Sequence, residues 1–295
     1  MKEISLCDMA ARAEALGISL GELALRDEAQ RSGTDAEQVL EQMTETWGVM
    51  RESVRAGLEK PRRSRGGMIG GEGILLKTYL GQSHSYCGES VLGAVSAALA
   101  VSCQNAAMGK IVAAPTAGAS GILPGVLTMI AERDGKSERE IALALFTAAA
   151  VGLVISANAS LSGAAGGCQA ECGSGAAMAA AAAVELAGGT PRQACHAVAM
   201  TLKNQMGLVC DPVAGLVEVP CAKRNAAGAA LALVSADMAL AGIESVIPAD
   251  EVIVAMGKVG RALPESLRET SKGGLAATPT GRQIADRLGG NLSKL

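Results

Sequence analysis

Apolar residues recur at three- and four-residue spacing among dense charges over residues 1–60, the pattern of short amphipathic helices. Ser19 with Glu22, and Thr34 with Glu37, match the capping-box spacing, so helix starts are expected at both. The stretch KPRRSRGGMIGGEG, Lys60 to Gly73, breaks the pattern and is the best linker candidate. Its Arg62, Arg63 and Arg65 suit either a phosphate or carboxylate site or a solvated turn. From Tyr79 onward the chain turns small and apolar, and residues 90–109, 111–131 and 141–170 carry no charge. Ser137 with Glu140 opens a helix through EIALALFTAAAVGLV. GSGAAMAAAAAVELAGG reads as a long helix stopped at Gly188–Gly189. Thr190 and Pro191 read as N-cap and N1 of the next, which runs to about Met206. NAAGAALALVSADMALAG and the segment from Pro248 give two more. Period-two alternation is scarce. The expected fold is all-α: a single large helical domain with a Gly/Ala-rich core, in which residues 1–60 form a solvated helical layer of the same domain and residues 61–295 its main body.

Composition sharpens this picture. Apolar residues make up 49% of the 295, yet aromatics only 1%, and glycines number 37, so the core is one in which helix backbones approach closely. Stacked aromatic platforms for single-stranded nucleic acid are excluded. With 26 basic and 29 acidic residues the net charge is −3, which provides no field for nucleic acid or an anionic membrane. The uncharged runs raise a membrane-spanning alternative. They hold Ser, Asn, Gln, Pro and many Gly and lack flanking aromatic belts, so buried helices without membrane insertion are expected. The start, MKEISLCDMAARAEALG, carries acids and has no apolar h-region. Eight cysteines without a secretory signal imply a reducing, cytoplasmic setting, where thiols serve as ligands, nucleophiles or small core residues.

Chemistry concentrates in Gly-rich or polar loops between the apolar helices. AAPTAGASGILPG, residues 113–125, offers Thr116, Ser120 and backbone N–H groups at a helix start, suited to a carboxylate or phosphate; a tight Gly-mediated helix crossing explains it equally well. ISANASLSGAAGGCQAECGSG (155–175) and GLVCDPVAGLVEVPCAKRNA (207–226) hold Cys168, Cys172, Cys210 and Cys221 beside turn residues. Converging thiolates favour zinc or iron–sulfur centres, and a small-residue core accounts for the same cysteines. Cys7, Cys103 and Cys195 lie in helical stretches, and Cys87 lies near His84. With only His84 and His196, a His-rich zinc enzyme is not expected.

Four segments, SGAAGGCQAECGSG, GLVCDPVAGLVEVPCAKRNA, AAPTAGASGILPG and LRETSKGGLAATPTG, occur in order and resemble the alpha subunit of iron–sulfur-dependent L-serine dehydratase, from about Arg65 to about Gly281. The resemblance implies that Cys168, Cys210 and Cys221 ligate a [4Fe–4S] cluster, with Cys172 a non-ligand. It implies an L-serine ammonia-lyase, not dependent on pyridoxal phosphate, whose catalytic domain is residues 61–295. Three thiolates leave one iron open as a Lewis acid for the serine hydroxyl. Elimination then gives aminoacrylate, whose imine hydrolyses to pyruvate and ammonia. Substrate-side candidates are Thr116, Ser120, Asn158, Ser160 and Glu171, and Lys203, Lys223 and Arg224 are candidates to balance the cluster's charge. A related lyase for threonine or cysteine, or an electron-transfer iron–sulfur protein, is the alternative. A separately encoded beta subunit is expected to supply part of the site, making a hetero-oligomer, and the catalytic base is not assigned. The end, RLGGNLSKL, has no cysteine, so the cysteine tail of some relatives is not carried over.

Overall fold

The computed structural model describes residues 4–82 and 85–292, and every described regular element is helical. Thirteen α-helices follow one another: α1 (Leu6–Leu16), α2 (Leu20–Ser32), α3 (Ala36–Glu59), α4 (Glu72–Leu80), α5 (Gly88–Ala106), α6 (Ile122–Asp134), α7 (Glu138–Asn158), α8 (Gly163–Gly166), α9 (Ser174–Leu186), α10 (Pro191–Gln205), α11 (Cys221–Leu240), α12 (Ala249–Ala262) and α13 (Pro279–Leu292).

Local chemistry explains most of the boundaries. Ser137 and Glu140 form a full capping box at α7, as do Thr190 and Gln193 at α10, where Pro191 stands at N1. Ser19 caps α2 through the Glu22 N–H. The expected box at Thr34 is displaced by one residue: Asp35 is the N-cap of α3, and its carboxylate accepts from Glu37 N at 2.9 Å. A carboxylate serves the first-turn N–H groups at least as well as a hydroxyl, and so sets the start.

The apolar α9 is the axis. It packs against α6, α7, α10 and α11, while α5 carries α3, α4, α6 and α11 on its faces. Alanine buries little side chain, so the helices must come close to exclude water. Gly125 of α6 shows how close: a Cβ there would stand 2.7 Å from the Ala94 carbonyl oxygen of α5. The helices of residues 1–60 cover this core, with α2 and α3 on α7 and α1 on α10. Among the described residues one helix, α7, is long and apolar enough to cross a membrane, and 67% of its most apolar window is buried inside the protein. Arg62, Arg63 and Arg65 are exposed, with Arg62 and Arg63 turned to Gln104 and the Gly67 carbonyl, so the basic run is a solvated turn.

Candidate active site

Three loops bring three thiols to the N-terminal ends of α9 and α11. Cys168 precedes a π-turn, Gln169–Gly173, that feeds α9. Cys221 is the first residue of α11. Cys210 lies in extended backbone bridged to Arg268, giving its N–H to Leu267 O at 2.9 Å and accepting from Glu269 N at 2.7 Å. Cys168 and Cys210 are buried, and Cys221 is half-buried. Burial and then the neighbouring Cys168 push the Cys221 thiol up to about 12. Cys210 is raised by the same two causes, with Glu171 adding to them. Cys168 moves the other way, chiefly because Cys172 hydrogen-bonds to it and also because the Arg224 cation is near. Cys172, buried, is raised by its contact with Cys168 and by burial.

The thiols sense one another, yet among the described residues no three His, Cys, Asp or Glu side chains close on a point that would hold a single metal ion.

Glu171 borders the thiols. Burial raises its carboxyl, opposed by hydrogen bonds from the Thr116 hydroxyl and the Cys210 thiol, whose sulfur is 3.9 Å from Oε2. Two glycines leave room around it. A Cβ on Gly163 would lie 2.6 Å from Glu171 Oε2 and 3.0 Å from Cys210 Sγ, and one on Gly118 would lie 3.2 Å from Oε1. Ser120 is buried in the same loop as Thr116, and its Oγ has no hydrogen-bond partner.

Three buried polar side chains tie the loops together. Asn225 of α11 donates to Gly118 O at 2.7 Å and Cys221 O at 2.9 Å and accepts from Gly121 N at 2.9 Å. Asp211 accepts from Arg224 at 2.8 Å and from Leu275 N at 2.7 Å, which holds the 267–281 segment beside Cys210. Arg224 also donates to Val209 O at 2.7 Å. Glu218 accepts from Ser64 Oγ at 2.6 Å, Gly66 N at 2.7 Å and Met68 N at 3.2 Å, hanging the 60–71 stretch from the thiol loop.

The sequence had pointed to neither Asn225, Asp211 nor Glu218, because each is defined by partners distant along the chain. It did name Arg224, which alone of the three candidate cations reaches the thiols. Lys203 binds Ser245 Oγ at 3.0 Å and Lys223 pairs with Glu72 at 3.0 Å. Asn158 spends its amide on Ile4 O and Val154 O at the end of α7 instead of facing the thiols. Ser160 accepts from Ser162 N and lines a cavity of about 260 Å³ with Gln169, Met256 and Arg261, on the α12 side of the Cys168 loop. His196 accepts from Ser245 N, and His84 lies outside the described residues.

Comparison with known proteins finds relatives over most of the chain. The family profile described as "Serine dehydratase alpha chain" matches residues 15–276. A probable L-serine dehydratase alpha chain of Bacillus subtilis (strain 168) is 51% identical over 92% of this chain and 91% of its own length. The L-serine dehydratase alpha chain of Peptoniphilus asaccharolyticus is 45% identical over 91% of this chain and 92% of its own. L-serine dehydratase 2 of Escherichia coli (strain K12) is 37% identical over 92% of this chain but only 61% of its own length.

Proposed function

The chain belongs to the serine dehydratase alpha-chain family, and from that premise we propose that it is the catalytic subunit of an L-serine dehydratase, converting L-serine to pyruvate and ammonia. The observation that carries the reading is the gathering of Cys168, Cys210 and Cys221 beside the half-buried carboxyl of Glu171. These three thiols would hold a [4Fe–4S] cluster. When bound, such a cluster supplies an open iron corner, a Lewis acid for the substrate's hydroxyl.

The chain's own residues do the rest. Arg224, next to Cys168 and held by Asp211, offsets thiolate charge. Burial of Cys168 and Cys210 keeps water from competing for the metal centre. Glu171 would take the substrate ammonium, and the Thr116 and Ser120 hydroxyls would donate to the substrate carboxylate. Of the other two candidates, Asn158 would have to give up its bonds to Ile4 O and Val154 O to reach substrate, whereas Ser160 keeps its hydroxyl proton free to donate. A separately encoded beta subunit completes the site in a hetero-oligomer. The "alpha chain" names of the two most fully covered relatives support this, as does the longer Escherichia coli relative, whose length exceeds the matched part. Eight free thiols suit a cytoplasmic enzyme.

The test is anaerobic purification with the partner chain, assayed for iron, acid-labile sulfide and pyruvate formed from serine. Cys210→Ala is expected to lose iron and turnover together. A variant that keeps both overturns the ligand assignment.

A further inference from the structure

A second pair of thiols lies apart from the site just described. Cys7, in the first turn of α1, and Cys195, in α10, border one cavity, and Cys195 Sγ lies 3.7 Å from the carbonyl oxygen of Leu6, the residue before Cys7. Their electrostatic partners are each other, Asp250 and Glu14; none of Cys168, Cys210, Cys221 or Glu171 is among them. The two thiols line a cavity of about 250 Å³ with Arg192, His196 and Pro248. Cys7 is half-buried and reachable, whereas Cys195 is buried. The start of α1 is also clamped. Asp250 of α12 accepts from Leu6 N at 2.7 Å, Cys7 N at 3.1 Å and Ser5 Oγ at 2.9 Å, which fixes the Cys7 backbone against α12. Two thiols from distant parts of the chain, on the wall of one cavity and with Cys195 Sγ beside the carbonyl that precedes Cys7, are juxtaposed as a dithiol that an oxidant could close would be.

We propose that Cys7 and Cys195 form an oxidation site for small hydroperoxides, independent of the cluster thiols, which closes to a disulfide joining α1 to α10. Cys7 attacks and Cys195 resolves. The order follows from exposure: Cys7 is half-buried and Cys195 buried, so a small solute meets Cys7 first. Cys7 Sγ attacks one peroxide oxygen and the O–O bond breaks. For hydrogen peroxide, Cys7 becomes a sulfenic acid and hydroxide leaves, taking up the proton lost when Cys7 ionised. The Cys195 sulfur then attacks Cys7 Sγ. The S–O bond breaks, and its oxygen leaves as water with the Cys195 proton. Two thiols and one hydrogen peroxide give one disulfide and two waters, with both electrons supplied by the sulfurs. A dithiol reductant reverses the change by thiol–disulfide exchange.

The test uses the anaerobically purified protein with its partner chain. It is exposed to one equivalent of hydrogen peroxide, blocked with N-ethylmaleimide and digested without reductant for mass spectrometry. The expected product is a peptide pair linked through Cys7 and Cys195, abolished by dithiothreitol and absent from Cys7→Ser. The melting temperature of the wild type should rise on oxidation and return on reduction, while that of Cys7→Ser should not rise. Cys7 recovered as sulfenic, sulfinic or unmodified thiol, with Cys195 still free, overturns the proposal. A linked pair in which Cys7 joins any other cysteine overturns it as well. Serine turnover does not enter the readout, so failure here is distinct from failure of the dehydratase reading.

Discussion

Asn225 is the most exacting test of how the site is held together. Its amide is the only side chain described that joins the 113–125 loop to the start of α11 by three hydrogen bonds, to Gly118 O, Gly121 N and Cys221 O. In Asn225→Ala the Cys221 carbonyl keeps its helical partner, but the Gly118 carbonyl and the Gly121 N–H lose theirs. A buried group left unpaired costs about 1–3 kcal/mol, and partial relaxation of the loop brings the expected total to about 3 kcal/mol. For 295 residues, at about 2.1 cal/mol/K of unfolding entropy each, that corresponds to a fall of about 5 °C in Tm. Thermal scans of anaerobically purified protein at one fixed rate measure it, and iron per chain is read on the same samples. Asn225→Asp is the control. It keeps an acceptor for Gly121 N but sets a carboxylate against the Gly118 carbonyl and near the thiols, so its fall should be at least as large. Iron content should drop in both variants, because the loop and Cys221 lose their common register. A Tm within about 1 °C of wild type would show that solvent satisfies the two backbone groups and that Asn225 does not hold the loops. A lower Tm with full iron would confine Asn225 to stability.

Gly163→Ala places a methyl group 2.6 Å from Glu171 Oε2 and 3.0 Å from Cys210 Sγ at a backbone position that alanine tolerates. It should fold with a Tm near wild type yet lose at least about tenfold in serine turnover, since a misplacement of about an ångström has that order of effect; unchanged turnover would mean that this gap is not used. Glu185 is half-buried and accepts from Ser19 Oγ, Gly21 N and Thr147 Oγ1, and partial burial raises its carboxyl above the ordinary range. The folded protein therefore holds a proton that the unfolded chain has released. The stability from this group is full below the ordinary carboxylate pKa and declines as pH rises through the raised one. Urea midpoints from about pH 4.5 to 7 should fall more steeply for wild type than for Glu185→Gln, and identical slopes would contradict the assignment.

How much of this the amino-acid order revealed depended on range. Ser137, Glu140, Thr190 and Pro191 mark helix starts because their partners are three residues away or fewer, and those starts stand where the spacing put them. Thr34 misled because Asp35, one step on, supplies the stronger acceptor. The helical, Ala-rich interior was legible from the scarcity of period-two alternation. The π-turn after Cys168 was not, since its wider hydrogen-bonding ring has no composition of its own. Glu171 and Thr116 were named from their loops, and their meeting depends on how α9 and the 113–125 loop dock. Asn225, Asp211 and Glu218 looked like ordinary polar residues because their partners lie up to 154 positions away.

That span also bears on how the molecule comes off the ribosome. A nascent fragment that stops short of Glu218 already contains every residue of α1 to α10, but lacks the carboxylate that gathers Ser64, Gly66 and Met68 of the 60–71 stretch. The start of α1 waits longer still, for an acid 244 positions downstream of Leu6. Early helices can coil as they emerge, whereas the pocket that would receive a metal centre closes only near the completion of synthesis. Loading of that centre is thereby reserved for finished chains.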